Sequence, residues 1–387
     1  MRAGLSATLL ALALPCMADA GVPDPADMAA LGDLRQAVDA ARRTHPDLPL
    51  ETALAGLAIK SGTTWFGNEL GEPGAAAMTR FPQARPEGVS AAEWRALLAS
   101  RIDGAGENGR VGYLLIDLDG DGLRDLAIES DLDLDGAGHI VHVLRQADGR
   151  FGKPAPVSPG AAMPNLPSAL YALFERGANQ SADWIRLRGR VYAAFRDSRY
   201  GADRVYLLRP WQDHGQPPRL SISYRYQLSV PALQKPGAAP AARLAPARQR
   251  ALDAAAKLAA IRAAELSADP PVNRPATPPT PICPVAADAD EDMRQASTGY
   301  GPAPYTTEAV ADVPVRIGGQ CYIGQLRNWF GAYTPKMGLA ADLCIRKPEE
   351  PGPSPEACYR VQGRRSVSAV SAGMAPFDAT QMMPLEP

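Results

Sequence analysis

Apolar residues recur at two different intervals in this chain, and the interval changes along its length. Over residues 24–60, Met28, Leu31, Leu34 and Val38 return at three- and four-residue steps, one face of an α-helix. Pro46 and Pro49 divide this stretch into two helices. Ser90, with Glu93 three residues on, signals the capped start of a third, whose Trp94, Leu97 and Leu98 face inward. Trp65, Phe66 and Trp94 are expected in the core. From residue 111 the pattern shortens. Val111-Gly-Tyr-Leu-Leu-Ile116, Leu126-Ala-Ile128 and Ile140-Val-His-Val-Leu144 are short apolar runs and predict strands. Residues 184–187, 191–195, 205–208 and 220–228 predict an antiparallel meander, with Arg188-Gly-Arg190 and Ser198-Arg-Tyr-Gly201 as turns.

The meander pattern returns later. Arg186-Leu-Arg-Gly189-Arg-Val-Tyr192 aligns with Arg316-Ile-Gly-Gly319-Gln-Cys-Tyr322, and Ser223-Tyr-Arg-Tyr-Gln227 with Cys358-Tyr-Arg-Val-Gln362. Between them, residues 247–266 are Ala-rich with Leu252, Leu258, Ile261 and Leu266, a good helix former. Seven prolines in residues 269–284 exclude helix and central strand there. Residues 233–284 therefore read as a semi-rigid Pro/Ala-rich spacer with one helix.

At 387 residues the chain has room for two or three domains. Arg2, the apolar run 5–14 and Ala18-Asp-Ala20 form a signal-peptide pattern with cleavage expected after Ala20, so the mature protein is expected in the periplasm or outside the cell. A net charge of −2 gives no reason to expect nucleic acid as a partner. Cys283, Cys321, Cys344 and Cys358 are an even set, which in an oxidising compartment favours two disulfides in one of three pairings. The meander alignment places Cys321, Cys344 and Cys358 at Val191, near Tyr206 and at Ser223. A cross-strand Cys344–Cys358 bond then becomes plausible, with Cys321 reaching Cys283.

One segment carries a specific chemistry: Asp117-Leu-Asp119-Gly-Asp121-Gly122-Leu-Arg-Asp125. Alternate aspartates in a tight loop converge on one point, Gly122 permits the turn, and the Leu123 carbonyl adds an oxygen. Calcium takes six to eight oxygen ligands of this kind. An EF-hand is excluded, since position 12 is Ile128 rather than glutamate and the flanks are strands. The pattern resembles the FG-GAP/VCBS family, whose repeats carry an Asp-x-Asp-x-Asp-Gly-x-x-Asp-Leu loop between two strands. The resemblance runs over about residues 111–155, through Asp148-Gly-Arg-Phe151, and covers one unit. It implies calcium binding by Asp117, Asp119, Asp121 and Asp125. Asp131-Leu-Asp133-Leu-Asp135 is a degenerate echo and a weaker candidate for a second ion.

Gly104-Ala-Gly106-Glu-Asn-Gly109 matches a dinucleotide fingerprint, but a helix precedes it and a strand follows, the reverse of the order a phosphate site needs. No G-x-S-x-G, H-E-x-x-H or Walker loop occurs. Arg186, Arg188, Arg190, Arg196, Arg199, Arg204 and Arg209 make the first meander basic. Docking of this face on the acidic residues 117–135 is one expectation, and solvated arginines are the other.

The sequence thus predicts an α+β chain: signal peptide 1–20, helical region 21–108, calcium-loop β unit 109–165, first β-meander 166–232, spacer 233–284 and disulfide-bearing second meander 285–377. Its expected role is calcium-stabilised, non-catalytic binding or structural work, with an unknown protein or an envelope polymer as partner. A cell-envelope polymer hydrolase and an inhibitor or immunity-type binder are the alternatives.

Overall fold

The computed structural model describes residues 24–67, 81–102, 111–131, 138–152, 169–174, 179–199, 201–212, 215–234, 242–267, 283, 309–327, 341–347 and 358–377. In chain order the elements are α1 (Pro25–Thr44), α2 (Pro49–Leu57), β1 (Thr64–Gly67), α3 (Ala91–Ala99), β2 (Val111–Ile116), β3 (Asp125–Asp131), β4 (Gly138–Ala147), β5 (Arg150–Gly152) and β6 (Tyr171–Phe174). There follow β7 (Asn179–Leu187), β8 (Arg190–Arg199), β9 (Ala202–Leu208), β10 (Pro218–Ser229), β11 (Leu233–Gln234), β12 (Ala242–Arg243), α4 (Pro246–Ser267), β13 (Ala309–Ile317), β14 (Gln320–Arg327), β15 (Ala341–Arg346) and β16 (Cys358–Met374). The chain is mostly β with helices added, an α+β mixture.

Two antiparallel sheets dominate. The first runs β1-β2-β3-β4-β5, with β6 also on β4. The second has eight strands in the order β13-β14-β15-β16-β10-β9-β8-β7. Two four-stranded meanders therefore meet through their last strands, β10 and β16, which pair antiparallel. Both meanders open with the same hairpin register, Leu187↔Arg190 and Ile317↔Gln320. Arg188 and Gly189 both have positive φ, as do Gly318 and Gly319, so a two-residue turn of matching hand closes each.

The layers follow from which side chains alternate to which face. Tyr113, Leu115, Leu126 and Leu144 of the first sheet pack on Leu97 of α3 and on Phe66 and Phe81. Its other face presents Leu114, Ile116 and Val143 to Val191, Ala193, Phe195, Tyr206 and Leu208 of β8 and β9. The far face of the eight-stranded sheet carries Ile185, Tyr192, Val205, Tyr224, Val315 and Val361 and is covered by α1, α2 and α4. The residues read as one helical N-terminal region divide between two packings: α1 and α2 lie on the eight-stranded sheet, while β1 pairs with β2 and α3 covers the first sheet.

Local signals explain the helix ends. Asp24 caps α1 by accepting from the Ala26 N–H at 2.8 Å, ahead of a proline at the start of the helix. The capping box of α3 is complete: the Glu93 N–H donates to Ser90 Oγ at 3.2 Å, and the Ser90 N–H donates to Glu93 Oε2 at 2.7 Å. Leu31, Leu34 and Val38 are buried on α1, whereas Met28 is exposed.

Several expectations change, among them Leu98 of α3, which is 46% exposed rather than facing inward. First, α4 is not part of a spacer. Ala255, Ala256, Ala259, Ala260 and Ala263 are buried with Leu252 in the main core, and Ile261 is exposed. Alanines let this helix sit close to β10 and β13, so its inner face is marked by small side chains. Second, Trp65 is 49% exposed on the edge strand β1, while Phe66 is buried and stacks on Tyr113. Third, among the described residues the arginines of the basic meander do not pair with the acids of the loop unit. The contact with the first sheet is apolar, and the arginines reach acids of α1, α2 and their own strands. Arg188 donates to Asp33, Arg190 and Arg209 to Asp24, and Arg196 to Glu51 and Asp203.

The cysteines form Cys283–Cys321 and Cys344–Cys358, with Cα atoms 5.6 and 3.9 Å apart. Cys344 and Cys358 face each other across β15 and β16. Cys321 takes the place of Val191, since both follow the hairpin turn at the same register position. Cys344 stands opposite Gln325 as Tyr206 stands opposite Phe195. Cys358, opposite Cys344, therefore corresponds to Arg219, which is opposite Tyr206, and not to Ser223 four residues later. Matching letters placed this strand out of register with its hydrogen bonds. No helix among the described residues is long and apolar enough to cross a membrane. Residues 1–23, 103–110, 132–137 and 378–387, with the signal pattern, the glycine run and the second acidic echo, lie outside the described residues.

Candidate metal centre

The acidic loop joins β2 to β3 on the first sheet. Its backbone turns through Gly120 and Gly122, with φ of 82° and 87°, a region where side chains other than glycine are strained. The aspartates organise the loop. Asp117 accepts from the N–H groups of Gly120 at 2.7 Å and Gly122 at 3.3 Å. Asp119 Oδ1 accepts from the Asp121 N–H at 3.2 Å, and Asp121 Oδ1 from the Leu123 N–H at 2.7 Å.

Asp125 closes the loop from inside. It is 1% exposed, and its two oxygens accept from the Leu118 N–H at 3.1 Å and the Gln146 N–H at 2.8 Å. Asp117, Asp119 and Asp125 each offer an oxygen within 4.8 Å of the others. Asp121 does not belong to this group, and the Leu123 side chain is exposed. Three of the four expected carboxylates are thus brought together.

Burial pushes the Asp125 carboxyl up to about 6, against the two backbone donors that favour its charge, and the nearby Asp119 and Asp121 push it further. An unfolded aspartate titrates near ~3.9, so this group contributes stability that is complete below about pH 4. That stability is lost as pH rises through about 6, when a buried anion must form. The full loss is up to about 3 kcal/mol at ~1.4 kcal/mol per pH unit. Urea unfolding of chelator-treated protein between pH 4 and 7 is expected to show this fall, and Asp125→Asn to flatten it. A profile unchanged by the substitution would refute the assignment.

Two arginines that the sequence did not single out as loop partners complete the surroundings. Arg124 places its guanidinium on Glu93 at 2.7 Å through both Nε and Nη2, on Thr64 Oγ1 at 2.6 Å and on the Gly88 carbonyl at 2.8 Å. Burial raises Glu93, but the bonds from Arg124 and Ser90 outweigh it and hold its carboxyl below the usual range. The acidic loop is thereby strapped to the start of α3. Arg145 of β4 forms an ion pair with Asp119 Oδ2 and lies over the Trp211 ring, 5.6 Å from its centre.

All the convergent donors are carboxylate oxygens, which suits a hard cation such as calcium and not a soft transition metal. No protein-family model matches this chain, and no curated protein or solved structure matches it. The centre is therefore read from its own geometry. The Ser198–Ala202 turn, which an inhibitor would use as an exposed loop, has Ser198 and Ala202 buried at 6% and 1% exposure.

Proposed function

We propose that this is an exported calcium-binding protein with a non-catalytic binding or structural role, in which the ion stabilises the fold. The observation that carries the reading is Asp125, a buried carboxylate clipped to β2–β3 and β4 and facing Asp117 and Asp119. Without a cation its charge opposes folding; with one it would favour it. Asp117, Asp119 and Asp125 would hold the ion, with Asp121 and the Leu123 carbonyl as the further oxygens of the sequence pattern. Calcium would supply charge neutralisation and cross-link β2, β3 and the loop.

The strand–loop–strand form and the Asp148-Gly149 turn between β4 and β5 support the resemblance to an FG-GAP/VCBS unit. The two disulfides support an oxidising compartment. The matched registers of the two meanders support an internal duplication, with Cys321 and Cys344 standing where the first meander has Val191 and Tyr206.

Thermal and urea unfolding with EDTA and with calcium would test the reading. At ~1 mM calcium and a dissociation constant ~100-fold lower, stabilisation of about 2.7 kcal/mol is expected. Asp117→Ala/Asp119→Ala should abolish the gain while leaving the chelated protein folded. Superimposable curves for the parent protein with and without calcium would refute the reading.

A further inference from the structure

The outward face of the two central strands of the eight-stranded sheet carries a charge arrangement that the metal centre does not use. Tyr224, Tyr226 and Leu228 of β10 and Val361, Arg365 and Val367 of β16 turn toward the helices and are buried. Arg225, Gln227 and Ser229, with Gln362, Arg364 and Ser366, alternate to the other face and are exposed. The first sheet covers this face over β8 and β9.

Arg225 lies opposite Ser366, and Arg364 opposite Gln227. The two arginines are thus diagonal neighbours on one face, a spacing of about 7–8 Å between Cα atoms. Neither has an ion-pair partner among the described residues. Two acids on other strands of the sheet are themselves paired: Asp342 with Arg360 at 3.0 Å and Asp197 with Arg204 at 3.8 Å. Like charges set side by side on a sheet repel, and nothing described offsets them.

The pair is also symmetric. Arg219 and Cys358 hold equivalent places in the two meanders, and Arg225 and Arg364 each follow six residues later. They flank the Tyr226↔Arg365 pair, where the meanders exchange roles. Among the described residues, their neighbours on this face of the two strands are Gln227, Gln362, Ser229 and Ser366, all hydrogen-bonding.

We propose that Arg225 and Arg364 form a binding site for a phosphate-type dianion, either free phosphate or a phosphate monoester. Two guanidinium forks can each donate paired N–H groups to a tetrahedral group that presents oxygens in several directions. Its two negative charges match the two cations. A carboxylate has one charge and two coplanar oxygens, enough for a single fork. The exposed amides and hydroxyls of Gln227, Gln362, Ser229 and Ser366 suit the polar remainder of an ester better than a lipid tail. The site lies on the second sheet and is independent of the calcium reading.

The test is calorimetric titration of the full chain, in EDTA and at low ionic strength, with inorganic phosphate, glycerol 2-phosphate and acetate. Phosphate is expected to bind, and Arg225→Gln and Arg364→Gln are each expected to weaken it by roughly tenfold or more, to a similar degree. Both residues are exposed, so the variants should fold; their phosphate-free melting temperatures should equal or exceed the parent's, because repulsion is relieved. Equal binding of the ester would support a monoester as the source, and preference for inorganic phosphate would support the free ion. Absence of phosphate binding, binding unchanged in both variants, or acetate bound as tightly as phosphate would overturn the proposal.

Discussion

Asp203→Asn is expected to destabilise the protein by about 3–5 kcal/mol, the range for removing one partner from a buried ionic network. Asp203 is 1% exposed and accepts from Arg196 Nη2 at 3.0 Å, Ser198 Oγ at 2.6 Å and the Tyr224 hydroxyl at 2.6 Å. Arg365, 3% exposed, lies 3.7 Å from it and donates to Glu51 Oε1 at 2.6 Å and the Asp47 carbonyl at 2.8 Å. Arg196 reaches the same Glu51 oxygen at 2.7 Å. Two cations and two anions thus join α2, β8, β9 and β16 in the interior. With Asp203 neutralised, both guanidiniums remain buried and share one carboxylate. Burial alone would raise the Asp203 carboxyl, but Arg196 and Arg365, helped by Ser198 and Tyr224, hold it below the ordinary range. Its contribution is therefore present above the unfolded aspartate value and lost only as pH falls through the depressed folded one. Asp125 acts in the opposite direction and over a higher window. Urea midpoints near neutrality and below pH 4 check this: Asp203→Asn should cost most at neutral pH and least in strong acid. A change under 1 kcal/mol at neutral pH would show that the network is not a determinant of stability. Asp203→Leu/Arg365→Met, which removes one charge of each sign, should recover part of the loss.

Removing both disulfides is expected to cost about 2–4 kcal/mol for each bond. The bonds close sequence separations of 14 and 38 residues, so the model in which cross-links restrict the unfolded chain assigns the longer one somewhat more. Their placement makes the loss consequential. In the first meander, Val191 and Tyr206 are buried against the first sheet. The equivalent positions of the second meander hold Cys321 and Cys344, so covalent links stand where the first half has an apolar layer. Urea unfolding of Cys344→Ser/Cys358→Ser, beside fully reduced parent, measures the contribution. Midpoints equal to those of the oxidised protein would eliminate it.

The elements that could be read from sequence were those whose signal is local. Proline positions separated α1 from α2, Ser90 and Glu93 located α3, and Arg188-Gly189 marked a turn whose positive φ values match its residues. The aspartate spacing, three at alternate positions and a fourth four residues on, located the loop in which Asp117, Asp119 and Asp125 come together. What escaped depended on distant partners. Trp65 looks apolar, but β1 is an edge strand and leaves one of its faces open. The alanines of α4 carry little hydrophobic signal, and only close packing on β10 and β13 makes them core. Arg365 reads as one arginine among many until β16 pairs with β10 and brings it to Glu51 and Asp203. Asp121 fits the loop pattern, yet its carboxylate does not join those of Asp117, Asp119 and Asp125, which spacing cannot reveal.

The place of β16 in the sheet has a further consequence, for the order in which the protein can be made. Although late in sequence, this strand occupies the middle of the eight, with β10 on one side and β15 on the other. The residues just beyond it, Ala375 and Phe377, fill the seam between the two sheets. A nascent or truncated chain that stops before Cys358 has no neighbour for that side of β10 and no plug for the seam. It presents an open strand edge, the kind of surface that pairs with other chains. Contacts so distant in sequence close slowly. Until that strand arrives, the first half keeps an open edge at β10, through which copies of the chain can pair with one another.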